Sequence, residues 1–214
     1  MMHLVYINPN ATQAMTDNIV QVAQTHAPHD KITGLTNFGG PPAIQGPQDG
    51  EAAIPGMLAL LKTAQELGAD AVIIACFDDT GLAQAQAVAT CPVYGIGHSA
   101  YRVGADNDCG FSVVTSLAVS VPVITQNIKA QGFMAQCHGV HASHLAVLDI
   151  DAGTEHVRAT LAAAIVAAVD QDACGAVVLG CAGMSPLLHD LEQRTGVDLI
   201  DGVRASIRIA TAAG

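Results

Sequence analysis

Positive charge is scarce in this chain, in which eight lysine and arginine residues stand against nineteen aspartates and glutamates. Nucleic acids and anionic membrane surfaces bind clustered cationic side chains, so this balance argues against both as partners. Tryptophan is absent, and aromatic residues make up only 3% of the sequence. Since half of the residues are nevertheless hydrophobic, the core must be built from aliphatic side chains and alanine. Such a composition favours helices packed closely on a sheet rich in valine and isoleucine.

Long apolar runs are also missing, because no stretch reaches the roughly 18 uninterrupted apolar residues that a membrane-spanning helix needs. The first residues, MMHLVYINPN, lack the basic segment, the apolar length and the cleavage site of a secretion signal. We therefore expect a cytoplasmic protein whose six cysteines are reduced rather than paired. No GxGxxG or P-loop motif is present, so the sequence offers no nucleotide-binding signature.

Strand and helix patterns alternate along the whole chain. Short apolar runs predict strands at 4–7, 31–36, 71–75, 92–96, 111–115, 144–148, 176–179 and 199–200. Capping residues and apolar periodicity predict helices at 13–25, at 51–67, after Ser120 with Pro122 in the first turn, at 154–171 and at 203–213. Continuous apolar strands separated by helices indicate an α/β protein with parallel sheets covered on both faces.

Two cysteines occupy matching places in the two halves of the chain. AVIIACFDDTGL (71–82) and AVVLGCAGM (176–184) each carry a cysteine at the end of an apolar strand, followed by a helix start. Nearly the same number of residues separates Asn8 from Cys76 as separates Thr115 from Cys181. Ligands of open α/β sheets bind beyond the carboxyl ends of the strands, so we expect both thiols in one cleft between the halves.

Two opposed thiols suit one kind of reaction in particular. A thiolate is a base, and a following helix N-terminus lowers the thiol pKa. If one sulfur removes a proton from one face of a carbon and the other returns a proton on the opposite face, the carbon is inverted. The intermediate is an enolate, which backbone N–H groups after each cysteine are placed to stabilise. The pattern therefore predicts a racemase.

Five motifs follow one another in this order: INPNAT at 7–12, ACFDDTGL at 75–82, VVTS at 113–116, VVLGCAGM at 177–184 and LIDGVRAS at 199–206. Together they resemble the hydantoin and allantoin racemase branch of the aspartate/glutamate racemase superfamily, over nearly the whole chain. The resemblance implies two similar Rossmann-like (flavodoxin-like) lobes related by a pseudo-twofold axis, with the active site between them. It also implies a reaction without cofactor, Cys76 and Cys181 as acid and base, and a homo-oligomer.

The residues beside the cysteines point to a substrate class through the same resemblance. Phe77-Asp78 and Ala182-Gly183 follow the thiols, as in the branch that acts on cyclic ureides. Relatives that decarboxylate arylmalonates keep one of the two cysteines, whereas both are present here. We therefore predict inversion of the α-carbon of a 5-substituted hydantoin, allantoin or a similar cyclic ureide. The chain departs from the family pattern at Thr80, where proline is usual, and at His98 and His141, which add imidazoles near the expected cleft.

The lobes and the substrate contacts follow from these positions. We expect lobe 1 to comprise residues 1–97 plus 203–214 and lobe 2 to comprise residues 98–202. A breaker-rich loop after the second strand supplies a candidate apolar wall. The residues that we expect to contact the substrate are Asn8, Pro42, Ile44, Phe77, Asp78, Thr115, Ser116, Ala182 and Gly183.

A metal site is the less favoured interpretation of the cluster Cys137, His138, His141 and His144. Its spacing matches no common zinc pattern, and in an extended strand His141 faces away from the other two histidines. We therefore expect no metal. Alternatives to the cyclic-ureide racemase are an Asp/Glu-type amino-acid racemase, a maleate or arylmalonate-type isomerase, and a two-lobed binding protein without catalysis. A redox protein with a Cys76–Cys181 disulfide ranks below these, since no C-x-x-C motif occurs.

Overall fold

The computed structural model describes residues 1–212, which form two parallel four-stranded sheets. The first sheet has the order β2-β1-β3-β4 and the second the order β6-β5-β7-β8, so the two halves repeat one topology. The strands are β1 (His3–Asn8), β2 (Lys31–Thr36), β3 (Ala71–Ile74), β4 (Val93–Gly95), β5 (Phe111–Thr115), β6 (Cys137–Ala142), β7 (Ala176–Gly180) and β8 (Leu199–Asp201). The predicted pair of similar parallel α/β lobes is confirmed.

Helices connect the strands and cover the sheets. They are α1 (Gln13–His26), α2 (Pro47–Glu66), α3 (Leu82–Val88), α4 (Ile96–Ala105), α5 (Val121–Ala130), α6 (Val147–Ala152), α7 (Glu155–Asp172), α8 (Leu188–Thr195) and α9 (Gly202–Ala212). Short 3-10 turns occupy Ala118–Ser120 and Ala182–Leu187. The sequence prediction ended the last helix at 213, which lies outside the described residues. Within residues 1–212, no helix has both the length and the hydropathy needed to cross a bilayer.

Helix α7 illustrates how the sequence determines an element. Thr154 precedes it in an extended conformation, and its side chain accepts a hydrogen bond from the N–H of Val157 at 3.4 Å. Val157, Leu161 and Ile165 recur at steps of four and are all buried. Because steps of four stay on one face of an α-helix, these side chains form a stripe against the second sheet. The helix that apolar periodicity predicts at 154–171 is confirmed.

One predicted strand is wrong. Residues 144–148 are not a strand: His144 has a positive φ of 62°, and α6 begins at Val147. The strand lies earlier, over β6, where two histidines and a glycine hide the apolar signal. The sequence HLAVL at 144–148 predicts a strand only because it is a short apolar segment. Such a segment is compatible with either a strand or a helix, and periodicity alone does not separate them.

One hydrophobic cluster spans both sheets, and a second, smaller cluster lies on the other face of the first sheet. Strands β1, β3, β5 and β7 are fully buried, because each lies between two other strands of its sheet. Helix α9 packs against α1 and α4 between the halves, and Tyr6 and Ser206 join through their hydroxyl groups at 3.0 Å. These contacts bring the end of the chain back to the first half. The lobe boundaries, 1–97 with 203–214 and 98–202, remain a proposal.

Candidate active site

The two cysteines lie beyond the carboxyl ends of equivalent strands. Cys181 directly follows β7, and Cys76 lies just after β3. Both line one cavity of about 30 Å³ between the halves. The lining residues are Asn10, Met15, Ile44, Ala75, Cys76, Phe77, Asp78, Thr115, Ser116, Ser120, Val147, Gly180, Cys181 and Ala182. The strand ends of both sheets therefore meet at a single site.

A loop from the first half closes this cavity against the second half. Ile44 lines the cavity, and the neighbouring Gln45 accepts a hydrogen bond through Oε1 from the N–H of Val147 at 3.1 Å. Gly46, with φ of 114°, lies so close to Val119 that a Cβ there would come within 2.8 Å of its methyl carbon. The space left inside is enough for water molecules and far below the roughly 300–1,000 Å³ of ligand pockets. The structure thus leaves only a narrow, partly open space at the thiols.

Each sulfur has a backbone donor in an equivalent place. The backbone N–H of Asp78 acts on the Cys76 sulfur and that of Gly183 on the Cys181 sulfur, and each favours the thiolate. Burial raises the pKa of both thiols, that of Cys181 to about 12, and the nearby Asp78 carboxylate raises both further. Burial therefore favours the thiol form of both sulfurs, and these N–H groups oppose that tendency by stabilising a thiolate.

Asp78 is the one charged side chain among the described residues that line the cavity. Burial raises the pKa of its carboxyl to about 6, against a lowering by the hydroxyl of Ser120, whose Oγ lies 3.5 Å away. The next residue, Asp79, is buried as well, and burial raises the pKa of its carboxyl to about 7. Two adjacent carboxyls therefore titrate near neutral pH at this site.

We expect the free energy of unfolding to fall as the pH rises from 5 to 8. The folded chain keeps protons on Asp78 and Asp79 that the unfolded chain releases near pH 4, so folding is favoured at the lower pH. The raised pKa of Asp78 is worth about 3 kcal/mol over the whole span from pH 3 to 8, and roughly half of that change falls between pH 5 and 8. The Asp172 carboxyl has a lowered pKa, so its effect is lost only at more acidic pH. Urea unfolding at pH 5, 6.5 and 8 measures the trend, which Asp78→Asn should weaken; stability that rises across this range would contradict the assignment.

Most of the predicted contact residues lie at the cavity. Ile44, Phe77, Asp78, Thr115, Ser116 and Ala182 line it together with the cysteines. Thr115 directs its hydroxyl to the carbonyl of Gly180 at 2.9 Å, which ties β5 to β7 beside Cys181. Sequence reasoning missed Asn10, Met15, Ser120 and Val147. The motif INPNAT contains Asn10 and could have identified it, whereas no local sequence signal marks the other three residues.

Three predicted contact residues lie outside the cavity lining. Asn8 is buried behind it, where its Nδ2 donates to Asn10 Oδ1, to the Thr12 carbonyl and to Thr16 Oγ1 at 2.9–3.2 Å. Its amide therefore holds the β1–α1 turn and orients Asn10, which takes the place at the cavity that we expected for Asn8. Pro42 is exposed, and its carbonyl accepts the hydroxyl of Thr12 at 2.7 Å. Gly183 acts on the Cys181 sulfur through its backbone N–H, which favours the thiolate.

The histidines expected near the cleft are engaged elsewhere. His98 donates through Nδ1 to Gln131 Oε1 at 3.0 Å and packs edge-on against Phe133. His141 donates through Nε2 to Asp172 Oδ2 at 2.6 Å, which joins β6 to the end of α7. Neither imidazole lines the cavity, so neither alters its charge directly. Within residues 1–212, no three His, Cys, Asp or Glu side chains are grouped as metal ligands would be.

Known proteins match this chain over almost its full length. The family model described as Asp/Glu/hydantoin racemase matches residues 4–210. Hydantoin racemases from Rhizobium meliloti and Pseudomonas sp. (strain NS671) are 39% and 34% identical, covering 99% and 98% of this chain and 88% and 84% of theirs. The solved allantoin racemase from Klebsiella pneumoniae has a TM-score of 0.94 at 32% identity, covering 99% of this chain and 87% of that one. This chain is therefore an isomerase that belongs to the Asp/Glu/hydantoin racemase family, in the branch of the hydantoin and allantoin racemases.

Proposed function

We propose that this racemase inverts the α-carbon of a 5-substituted hydantoin, allantoin or a similar cyclic ureide, with Cys76 and Cys181 as opposed acid and base. The observation that carries the proposal is that both thiols line one cavity, each with a backbone N–H donor two residues further on. The names of the hydantoin and allantoin racemases to which the chain is similar support this substrate class.

The proton balance of the reaction needs both sulfurs. One cysteine enters as a thiolate and takes the α-hydrogen, and the electron pair of the broken C–H bond moves into the adjacent carbonyl to give an enolate. The other cysteine, a thiol, gives its proton to the opposite face and becomes the thiolate. The two exchange roles in the reverse direction. Because the adjacent carbonyl already acidifies the α-hydrogen, the reaction requires no cofactor.

Polar groups at the cavity are suited to hold the ring. Ser116 and Ser120 present hydroxyl groups, and Asn10 presents an amide whose orientation Asn8 maintains. We assign the Ser116 hydroxyl to the enolate oxygen, because a donor placed where charge develops lowers the barrier. The Ser120 hydroxyl donates to Asp78 instead. Apolar side chains of Met15, Ile44 and Val147 surround the remaining space and exclude water.

The charge of the cavity favours a neutral ring over an amino acid with two carboxylates. The described residues that line it include no lysine or arginine, and Asp78 contributes a carboxylate. A ring N–H can donate to that carboxylate, whereas a substrate carboxylate beside it is repelled. This argues against the Asp/Glu-type racemase, although backbone N–H groups also bind carboxylates. A binding protein without catalysis would have no need of two matched thiols with matched donors.

Substrate entry requires the closing loop to move. The cavity of about 30 Å³ is too small for a five-membered ring with a substituent, and Ile44, Gln45 and Gly46 lie across it. Opening must break the hydrogen bond between Gln45 and Val147 and separate Gly46 from Val119. We therefore propose that 41–46 opens for binding and closes again before proton transfer. A homo-oligomer and a cytoplasmic location stay predictions.

The test is incubation with L-5-substituted hydantoins and with allantoin in deuterated water. We expect optical activity to decay, with one deuterium taken up at the α-carbon of the inverted product. Circular dichroism measures the loss of optical activity, and mass spectrometry measures the uptake of deuterium. L-aspartate and L-glutamate, tested in parallel, should show neither change. Turnover of an amino acid alone would favour the amino-acid racemase, and tight binding without exchange would favour the binding protein.

A further inference from the structure

Thr80 makes a contact with Cys76 that has no counterpart at Cys181. Its Oγ1 donates a hydrogen bond to Cys76 Sγ at 3.3 Å, and the Thr80 side chain is buried.

The turn that carries Thr80 is held on both sides. Asp79, with φ of 49°, accepts hydrogen bonds from the N–H groups of Gly97 and His98 at 3.0 and 2.8 Å. Gly95 and Gly97 leave room for that carboxylate, since a Cβ on Gly95 would overlap its Oδ1. Gly81 has φ of 70°, and a Cβ there would overlap the methyl group of Met57. Thr80 lies between these two fixed residues, so its hydroxyl is held in place.

The other half of the molecule uses the matching hydroxyl differently. Ser185 follows Cys181 by four residues, as Thr80 follows Cys76. Its hydroxyl makes a short hydrogen bond to Asp201 Oδ2, a carboxylate that also accepts the N–H of Arg204 through Oδ1 at 2.9 Å. Ser185 is therefore committed to the β8–α9 junction. Cys181 keeps its backbone donor from Gly183 and has no such hydroxyl.

We propose that Thr80 is a positioning residue that orients Cys76 Sγ and stabilises its thiolate. The proposal rests on the proposed acid–base role of Cys76. A donor to a charged sulfur favours the thiolate over the thiol, and it opposes the effects of burial and of Asp78 at the same sulfur. The Cys181 sulfur has the backbone N–H of Gly183 beside it but no matching hydroxyl. Different groups therefore stabilise the two thiolates of a nearly symmetric site.

The experiment compares Thr80→Val, which keeps the shape and removes the hydroxyl, with Thr80→Ser, which keeps the hydroxyl. The rate of alkylation of Cys76 by iodoacetamide is measured by peptide mass spectrometry from pH 6 to 10.5. We expect Thr80→Val to move the Cys76 profile to higher pH by about one unit, since the hydrogen bond to the charged sulfur is lost. Thr80→Ser should restore the profile. The alkylation profile of Cys181 should change little. The exposed Cys109 serves as the internal control for the reactivity of iodoacetamide itself.

Racemisation gives the second readout. Thr80→Val should lower kcat about tenfold at pH 7.5 with little change in KM, and raising the pH should recover part of the loss. An unchanged Cys76 alkylation profile would overturn the positioning role. A shifted profile in a protein that racemises no hydantoin would instead leave the positioning role standing and reject the proposed function. A profile shifted equally in Thr80→Val and Thr80→Ser would also contradict the role of the hydroxyl.

Discussion

Replacement of either cavity cysteine by serine is expected to reduce racemisation roughly 10³-fold or more, because one face of the α-carbon loses its proton carrier. Serine nearly preserves the size of the side chain and its place beside the backbone N–H of Asp78 or Gly183. A serine hydroxyl is a far weaker acid than a thiol, so it cannot exchange a proton at the required rate. The loss should appear in kcat for both enantiomers.

The single variants should differ from a dead enzyme in one respect. With Cys76→Ser, Cys181 still removes a hydrogen from the face that it contacts and can return deuterium to the same face. One enantiomer should then exchange its α-hydrogen in deuterated water without inversion, and Cys181→Ser should do the same for the other enantiomer. The double variant should show neither exchange nor racemisation. Proton NMR of each pure enantiomer, followed over time, separates these outcomes.

The matched control is Cys109→Ser, at an exposed cysteine outside the cavity. It should racemise at the wild-type rate, which excludes a general effect of the substitution. If Cys76→Ser and Cys181→Ser both keep wild-type racemisation, the two-base proposal is untenable. If both variants exchange the same enantiomer, one base serves both steps and the opposed geometry does not operate.

The positions of both thiols could be predicted from the sequence because they depend on strong local signals. An apolar strand, a cysteine and a helix start recur at matching places, and parallel topology then brings the strand ends together. Asn8 shows the limit of this reasoning. Position in a motif cannot tell which of two asparagines points into a cavity, and the hydrogen bonds to Thr12 and Thr16 settle that Asn8 points away.

The remaining parts of the site depend on contacts between distant segments. Ser120 and Val147 reach the cavity from turns and helix starts whose sequences carry no chemical signature. The closing contact of Gln45 with Val147 joins residues 102 positions apart. His98 and His141 were placed near the cleft by their departure from a family pattern, yet each is paired with a side chain elsewhere, Gln131 and Asp172. Such pairings follow from the packed structure and not from local periodicity.

Asp79→Ala is expected to destabilise the protein by about 2–4 kcal/mol. The substitution leaves the N–H groups of Gly97 and His98 at the start of α4 without their carboxylate, a loss comparable to removing a helix cap. Alanine also tolerates the positive φ of 49° less well than aspartate, because it has no side-chain oxygen to bond nearby backbone N–H groups. Urea unfolding at pH 6 measures the difference in the free energy of unfolding.

Asp79→Asn separates the shape of this side chain from its charge. Asparagine tolerates a positive φ and keeps one oxygen for the N–H groups of α4, so it should cost less than half as much as alanine. The difference in the free energy of unfolding between wild type and Asp79→Ala should narrow from pH 6 to pH 8. Burial raises the pKa of the Asp79 carboxyl to about 7, so at pH 8 the wild type bears a buried charge that destabilises it. Racemisation should follow the same order, since the turn that Asp79 holds carries Thr80 and adjoins Cys76. Equal stability of the alanine and asparagine variants at pH 6 would mean that α4 finds other acceptors and that Asp79 does not hold the turn.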